Sequence, residues 1–451
     1  MKIILTRPNY HTHLITPPLG LGYLSSYLKK FGHDVLIIDG LNLSLKNEEI
    51  ARMSAGAGLT GVQILSDFYL EGADLIKKLK QSGLRVVVGG AHASCLPQQT
   101  LQETGADYAV IGEGEVTLLE LARSLEDNKP VRDIEGLLCA GEESFKKRAF
   151  IQDLDSLPFP DWRQIDPRVC KRAPHGAVIK NFPVAPVTTS RGCPYSCKFC
   201  ASPMLWNKTI RFRSAENVVD EIEYLVKDFG VREIHFEDDN LTLKREHIER
   251  ICGLILHRKL KISWATPNGV RADTLTQDLV RLMRTSGCYF IVFGIESGNQ
   301  EILNNINKKT DLAAIERAVR ISRAEGLITQ GFFIFGLPGE TEKTIQETID
   351  FAKRIPLDRA QFLMLDVMPG TQLWDELNGA TSVDWSRRSY QQVTWVPPTV
   401  NRDVLEKAPA RAFRSFFLRP RQCFQFLRFI KPYQIPFLFR RFKDFRLLSV
   451  K

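Results

Sequence analysis

The sequence has no long apolar run. No stretch of about 18 consecutive apolar residues occurs in the 451-residue chain, so we expect no segment to span a membrane. The first residues, Met1 to Leu5, pass directly into a candidate strand and are too short for a secretory signal. These two absences predict a cytoplasmic protein.

A second pair of closely spaced cysteines is also missing. Cys193, Cys197 and Cys200 follow the spacing C-x3-C-x2-C, but no second C-x2-C exists elsewhere. Structural zinc sites need four closed ligands and commonly show paired short spacings. Three thiolates instead favour a [4Fe-4S] cluster, which normally takes four cysteines and here keeps one iron open to another ligand. We expect the six scattered cysteines to be reduced core thiols: Cys95, Cys139, Cys170, Cys252, Cys288 and Cys423.

Acidic residues are almost absent from the C-terminal tail, residues 411–451. The tail holds eleven Lys or Arg and ten Phe against one acid, Asp444, so its net charge is +10, whereas residues 1–410 sum to about −1. Basic residues interleaved with aromatics suit an anionic membrane surface or an amphiphilic substrate. They equally suit a helical cap whose Phe face seals the fold, and they suit nucleic acid less well.

The N-terminal part, residues 1–125, alternates short apolar runs with amphipathic segments. This pattern predicts an α/β fold of the doubly wound, flavodoxin-like type, with a parallel sheet covered by helices. Ligands of such sheets lie beyond the carboxyl ends of the strands, where this sequence places glycine-rich turns. The predicted strands are Ile3–Leu5, Val35–Ile38, Gly61–Leu65, Val86–Val88 and Tyr108–Ile111.

The β-α alternation resumes at residue 186 and predicts a partial (β/α)6 barrel over residues 186–384. Residues 126–185 are predicted to be a linker that packs, and residues 385–451 a helical cap or tail. The six predicted strands are Val187–Ser190, Glu233–Glu237, Ile262–Thr266, Tyr289–Ile295, Gly331–Phe335 and Gln361–Val367. The predicted helices include Ala215–Phe229 with Ser214 as N-cap, Glu246–Arg258, Gln277–Thr285, Leu312–Glu325 and Glu342–Arg354.

The cysteine spacing, with Phe199 just before the last cysteine, resembles that of the radical S-adenosylmethionine (radical SAM) enzymes. Sequences at the ends of the predicted barrel strands are similar too: Glu237-Asp238-Asp239-Asn240, Gly294-Ile295-Glu296-Ser297-Gly298, and the run Gly331 to Thr341. The resemblance implies that Cys193, Cys197 and Cys200 bind the cluster and that the open iron binds SAM. Its implied SAM-binding residues are Phe199, Glu237, Asp238, Asp239, Arg271, Glu296, Ser297, Gly336 and Pro338.

The N-terminal part resembles the cobalamin-binding domain that precedes many radical SAM domains. The resemblance lies in the run Pro17 to Leu24 and in two turns, and it implies that the turn residues Gly89, Gly90, His92, Gly112, Glu113 and Gly114 contact cobalamin. The D-x-H-x-x-G motif of other cobalamin enzymes is absent, so we expect no histidine below the cobalt. A flavodoxin-like domain retained without its cofactor is the alternative.

Together these resemblances imply an enzyme that methylates an unactivated carbon through a 5'-deoxyadenosyl radical, using the cluster, SAM and cobalamin. One alternative is a cyclase or rearrangement enzyme without methyl transfer, acting on a lipid or tetrapyrrole-like substrate. Another is a cobalamin and cluster sensor without turnover. The implied partner is a reductase such as flavodoxin or ferredoxin, and the tail could hold the protein at the inner face of the membrane.

Overall fold

The computed structural model describes residues 1–12, 15–170, 179–377, 384–387, 390–420, 422 and 435. Its strands are β1 Lys2–Arg7, β2 Asp34–Asp39, β3 Leu59–Gln63, β4 Val86–Gly89, β5 Tyr108–Val110, β6 Leu137–Cys139, β7 Val184–Val187, β8 Ser190–Gly192, β9 Ile210–Phe212, β10 Glu233–Phe236, β11 Ser263–Val270, β12 Cys288–Glu296, β13 Ile328–Phe335 and β14 Arg359–Met364. Its helices are α1 Leu19–Lys30, α2 Gly40–Leu43, α3 Asn47–Met53, α4 Tyr69–Gln81, α5 Ala91–Cys95, α6 Pro97–Thr104, α7 Glu115–Glu126, α8 Ser202–Leu205, α9 Ala215–Phe229, α10 Arg245–His257, α11 Gln277–Thr285, α12 Gln300–Asn305, α13 Leu312–Ala324, α14 Glu342–Arg354, α15 Gln372–Glu376 and α16 Arg402–Phe417.

The first sheet has the strand order β2-β1-β3-β4-β5-β6. Its first five strands are parallel and arise from the apolar runs named above, because strands covered on both faces need continuous apolar sequence. The order 2-1-3-4-5 is flavodoxin-like, with its topological switch point between β1 and β3. The predicted fold class of this half is confirmed.

Strand β6 was not predicted. It falls within the predicted linker, pairs antiparallel with β5 and adds an edge to the first sheet. Three buried residues are too short a run to show a strand period, and this is why the sequence does not reveal it.

The second sheet has the order β14-β13-β12-β11-β10-β7, and all its neighbouring strands are parallel. This is the predicted six-stranded partial barrel. Helices α11 and α14 have the predicted bounds, and the Ser214 hydroxyl accepts a hydrogen bond from the backbone N–H of Asn217 as the predicted N-cap of α9.

The first predicted barrel strand is in fact two strands. β7 joins the barrel, whereas β8 turns away and pairs antiparallel with β9 in a separate two-stranded ladder. The three cysteines lie in the connection between β8 and β9. This ladder therefore brings both ends of the cysteine-bearing connection together.

The linker packs against both halves through Trp162, whose side chain is only 1% exposed. Its indole N–H donates a 2.9 Å hydrogen bond to Glu221 on α9, and Glu221 in turn pairs with Arg213 at 2.5 Å. Gln164 exchanges hydrogen bonds with the backbone of Ile37 and Val35, so the linker also covers the edge strand β2. The predicted packed linker thus has a physical anchor.

The first part of the basic and aromatic tail forms the end of α16. Phe416 is fully buried there and meets Phe362 of β14 with 6.3 Å between ring centroids. This portion packs against the last barrel strand, whereas most of the tail, Cys423 included, lies outside the described residues, so the role of the tail as a whole stays a prediction. Across the part of the chain that the structure describes, no helix is both long and apolar enough to cross a bilayer.

We predict that Trp162→Ala destabilises the protein by about 3 to 5 kcal/mol, the usual cost of removing a buried large aromatic side chain. The melting temperature followed by circular dichroism measures the effect. Val169→Ala, at a position in the same linker that is 66% exposed, is the matched control and should change little. Equal effects of the two substitutions would contradict the anchoring role.

Candidate functional site

A cavity of about 330 Å³ opens between the carboxyl ends of the two sheets. Most of its wall is apolar or glycine, and its charged groups are Glu113, Glu115, Arg191, Glu237 and Asp239. Among the described residues that line the cavity there is no histidine. The wall includes Leu5, Gly61, Gln63, Gly89, Gly90, Gly112, Glu113, Gly114 and Glu115 from the first half and Thr188, Ser190, Arg191, Gly192, Trp206, Glu237 and Asp239 from the second.

The glycines of the first sheet expose backbone to this cavity. Gly90 has φ +105°, and a Cβ there would lie 2.6 Å from the carbonyl oxygen of Ile64, so only glycine fits. Gly112 has φ +78° and likewise needs glycine for its backbone conformation. A wall without side chains allows a large, flat ligand to approach the main chain, which is the surface that a corrin ring would need.

Glu113 connects this cavity to the ladder beside the cysteines. Its carboxylate accepts hydrogen bonds from Arg191 at 2.7 Å, from Arg211 at 2.8 Å and from the backbone N–H of Ile151 at 2.8 Å. Arg191 also binds Glu115 at 2.7 Å. The resemblance assigned Glu113 to cobalamin, whereas the structure commits its carboxylate to the two arginines.

The two arginines face each other across the β8–β9 ladder. Arg211 is buried and the Arg191 side chain is 15% exposed, and Arg211 also lies 4.8 Å from the centre of the Phe150 ring. Burial works against the charge of Arg191, but the carboxylates of Glu115 and Glu113 raise its pKa above the usual value. We call Glu113, Glu115, Arg191 and Arg211 the interface clasp.

His92 is placed away from the cavity wall. Its ring is 1% exposed, lies 2.9 Å from the Ser66 hydroxyl and packs 4.4 Å from Tyr69 and 4.9 Å from Trp385 between ring centres. This buried aromatic setting does not support the contact with cobalamin that the resemblance implies.

The loop with Cys193, Cys197 and Cys200, residues 193–200, is called the cysteine loop. The three thiols are half-buried, and burial raises their pKa, that of Cys200 to about 12. Bound iron would overcome this preference for the thiol, because coordination deprotonates a cysteine outright. Lys308 and Arg271 lie close enough to Cys197 to favour its thiolate.

The donor set fits a cluster better than a single ion. Within the described residues, no three His, Cys, Asp or Glu side chains converge as ligands of one metal ion. A cluster makes no such demand, because each thiolate binds a different iron. The thiols thus suit the group that the spacing predicts.

The acidic residues after β10 divide into two groups. Glu237 and Asp239 line the cavity, and Asp239 accepts a 2.9 Å hydrogen bond from Ser202. Asp238 instead turns inward and accepts hydrogen bonds from the Thr189 backbone at 3.0 Å and from the Ser190 hydroxyl at 2.5 Å. Burial raises the pKa of Asp238 to about 6 against these hydrogen bonds. Asp238 therefore fixes the strand before the cysteines, and the structure does not support a direct SAM contact for it.

Arg271 and Ser297 also have partners within the protein. Arg271 makes a two-pronged ion pair with Asp273 at 3.0 and 2.9 Å, and its guanidinium lies 3.7 Å from the centre of the Tyr195 ring. Ser297 is fully buried, with its hydroxyl 3.1 Å from that of Thr348. Arg271 thereby contacts the cysteine loop through Tyr195, whereas Ser297 joins the turn after β12 to α14.

Glu296 and Phe199 lie together beside Lys308, a residue that the sequence did not single out. Glu296 binds the Lys308 ammonium at 2.7 Å, and that ammonium lies 5.9 Å from the centre of the Phe199 ring. A lysine in a polar loop gives no sequence signal of burial, and only the fold reveals this contact.

The turn after β13 is held by Glu340. The backbone N–H of Gly336, where φ is +90°, donates to Glu340 Oε2 at 2.5 Å, and Pro338 lies half-buried in the same turn. Burial raises the pKa of Glu340 to about 8, although hydrogen bonds from Gly336 and Leu337 oppose the rise. Near neutral pH this carboxyl is largely protonated.

The fold and the site define a class of protein in which a cobalamin-binding α/β unit adjoins a radical SAM partial barrel. Family models agree: residues 10–122 match the B12 binding domain and residues 187–352 the radical SAM superfamily. An uncharacterized methyltransferase of Pyrococcus horikoshii is 31% identical, over 93% of each chain. The anaerobic magnesium-protoporphyrin IX monomethyl ester cyclase of Cereibacter sphaeroides is 30% identical, over 93% of this chain and 71% of its own.

Among solved structures, the radical SAM methyltransferase TsrM of Kitasatospora setae, with cobalamin and a [4Fe-4S] cluster bound, superposes with a TM-score of 0.71. The match covers 91% of this chain and 81% of TsrM at 20% identity, and it shows a shared fold. The chain belongs to the radical SAM enzymes that carry an N-terminal cobalamin-binding domain. Its cofactors are a [4Fe-4S] cluster, SAM and cobalamin.

We predict that Glu113→Gln lowers the stability of the protein by about 3 to 5 kcal/mol, the range seen when one partner of a buried ion pair is removed. Arg211 stays buried and Arg191 stays largely shielded from water, and both lose the shared carboxylate. Thermal unfolding measures the loss. Glu135→Gln breaks an exposed pair with Lys146 and should leave the melting temperature nearly unchanged. If Glu113→Gln left the melting temperature unchanged, the interface clasp would not have the stabilising role proposed for it.

We predict that Glu340 makes the folded state less stable as pH rises. The folded chain keeps a proton that the unfolded chain releases above about pH 4.5, so stability falls as pH rises from there through about 8. Glu340→Gln mimics the protonated acid and should flatten this part of the curve of melting temperature against pH. Glu342→Gln, at an exposed neighbouring position, should follow the parent protein. If the melting temperature of Glu340→Gln changed with pH as steeply as that of the parent protein, the prediction would be contradicted.

Proposed function

We propose that this enzyme methylates an unactivated carbon of its substrate through a 5'-deoxyadenosyl radical. One observation supports the proposal above the rest: the glycine turns of the first sheet and the residues next to the cysteine loop line the same cavity. A methyl group carried by cobalamin and a radical formed from SAM can then act on one substrate without leaving the protein.

When bound, the cluster and SAM supply the radical, and cobalamin supplies the methyl group. The residues of the chain bind and place these groups. We assign Cys193, Cys197 and Cys200 to three irons. We assign Glu237 and Asp239 to the methionine ammonium of SAM, because carboxylates bind a cation strongly in a partly buried wall.

Two further sets of residues position the other parts of the ligands. We assign the turn of Gly336 and Pro338, fixed by Glu340, to the adenine, and we assign Gly89, Gly90, Gly112 and Gly114 to the face of the corrin. In this proposal the interface clasp and Asp238 hold the cavity residues of the first half in position relative to those of the second half. They touch neither cofactor.

The reaction also needs an external one-electron reductant, as radical SAM enzymes do. We propose a flavodoxin or a ferredoxin in this role. We further propose that the basic and aromatic tail favours an amphiphilic substrate or an anionic membrane surface, on the basis of its composition alone.

The second candidate function is a radical cyclisation or rearrangement without methyl transfer. It is favoured by the likeness to the magnesium-protoporphyrin cyclase, which matches over nearly the whole of this chain. The products separate the two functions. Methyl transfer yields S-adenosylhomocysteine together with 5'-deoxyadenosine, whereas cyclisation yields 5'-deoxyadenosine alone, and a sensor yields neither.

The test is anaerobic reconstitution with iron, sulfide and hydroxocobalamin, followed by optical spectra and by analysis of SAM products under dithionite. We predict that Cys193→Ala, Cys197→Ala and Cys200→Ala each lose the four-iron cluster and at least a hundredfold in 5'-deoxyadenosine formation, a loss of about 2.7 kcal/mol or more in the barrier. Cys95→Ala, which removes a thiol from outside the loop, should retain both. Full cluster occupancy in any of the three loop variants would overturn the assignment.

A further inference from the structure

The turn after α12, residues 306–309, forms a support beneath the cysteine loop. The backbone N–H of Lys198 donates to the carbonyl of Ile306 at 3.0 Å, and the Asn307 side chain donates to the carbonyl of Ser196 at 2.9 Å. We call residues 306–309 the lysine turn. Its position fixes the side chain of Lys308 against the loop that carries the thiols.

Lys308 is a buried cation. The residue is 8% exposed, its ammonium lies 2.7 Å from Glu296 Oε1, and its charge is near enough to Cys197 to favour the thiolate there. Burying an ammonium is costly unless a partner compensates, and lysine is seldom found so deep without one. A buried lysine beside the cysteine loop is therefore unusual, and we ask what its charge does there.

The backbone around Lys308 is shaped to admit this ion pair. A Cβ on Gly294 would lie 2.7 Å from Glu296 Oε1 and 3.0 Å from Lys308 Nζ, so a glycine makes the room. Glu296 adopts the left-handed region with φ +67°. Arg271 grips the carbonyls of Lys308 and Lys309 at 2.8 and 2.5 Å. The glycine, the conformation of Glu296 and the hydrogen bonds from Arg271 thus all help to hold the Lys308 ammonium in place.

The charge of the cluster changes during its function. When a one-electron donor reduces the cluster, its core passes from +2 to +1, and no bond forms or breaks in that step. The product is more negative, so a nearby buried cation stabilises it more than the oxidised form. Hydrogen bonds and charges around the cluster are known means of setting its potential.

We propose that Lys308 is a positioning residue that raises the reduction potential of the cluster, and that Glu296 offsets part of this effect through its ion pair with Lys308. The inference rests on the proposed function, because it needs the cluster at Cys193, Cys197 and Cys200. It predicts opposite signs for the two partners. Removing the cation makes the cluster harder to reduce, and removing the anion makes it easier to reduce.

The test is a redox titration of the reconstituted full-length protein without SAM, followed by the electron paramagnetic resonance signal of the reduced cluster. We expect a more negative midpoint potential for Lys308→Met, a value near that of the parent for Lys308→Arg, and a more positive one for Glu296→Gln. Lys309→Met is the matched control. It removes the same charge one residue away from an exposed side chain and should leave the potential unchanged.

Unchanged potentials in Lys308→Met and Glu296→Gln, or shifts of the same sign in both, would overturn the proposal. If Lys308→Met does not take up a cluster, the sign of the shift in Glu296→Gln decides, since that variant keeps the lysine. A parent protein that assembles no four-iron cluster would refute the proposed function itself. If the parent protein assembles the cluster but neither substitution changes the reduction potential, only this inference is refuted.

Discussion

The arrangement of the two sheets depends on one carboxylate. Glu113 ends the turn after β5 in the first sheet, and its two oxygens hold arginines from opposite strands of the β8–β9 ladder. Separating the two halves would break this ion-pair network, in which the Glu113 and Arg211 side chains are 5% and 8% exposed. The clasp therefore helps to hold the glycine turns and the strands beside the cysteine loop around one cavity.

The cysteine loop meets a second constraint, which is electrostatic. Three thiols in a half-buried loop resist ionisation, and each must lose its proton to bind iron. The surrounding protein supplies cations at the required place, Lys308 and Arg271, and each of these is held by a carboxylate of its own. Each of these cations is thus half of an ion pair, and the pairs place positive charge near the thiols without adding net charge to the interior.

Most of the fold could be predicted from the sequence, because its strands are buried on both faces and appear as separate apolar runs. The bounds of α11 and α14 follow from their amphipathic period and their polar flanks. The exceptions are short elements. β6, β8 and β9 have three residues each and were not predicted as separate strands, because their short segments show no clear strand period. No local pattern could have separated β8 from β7.

The sequence predicted where the site residues lie along the strands, but it predicted less well which groups their side chains contact. Strand-end motifs located the cysteine loop, Glu237, Asp239 and the glycine turns, and the structure brings these residues together around one cavity or beside it. The same motifs could not say that Asp238 and Ser297 turn inward. Whether a polar side chain faces a ligand or the protein depends on neighbours far away in sequence, such as Thr189 and Thr348.

Both halves of the chain line the cavity, so a ligand bound there contacts both of them and contributes to holding them together. A ligand that touches the turns of one sheet and the wall of the other binds only the assembled state, so its binding free energy adds to the cohesion of the halves. Saturation at a hundred times the dissociation constant contributes about 2.7 kcal/mol in this way. A ligand bound in this cavity would therefore also stabilise the contact between the two halves.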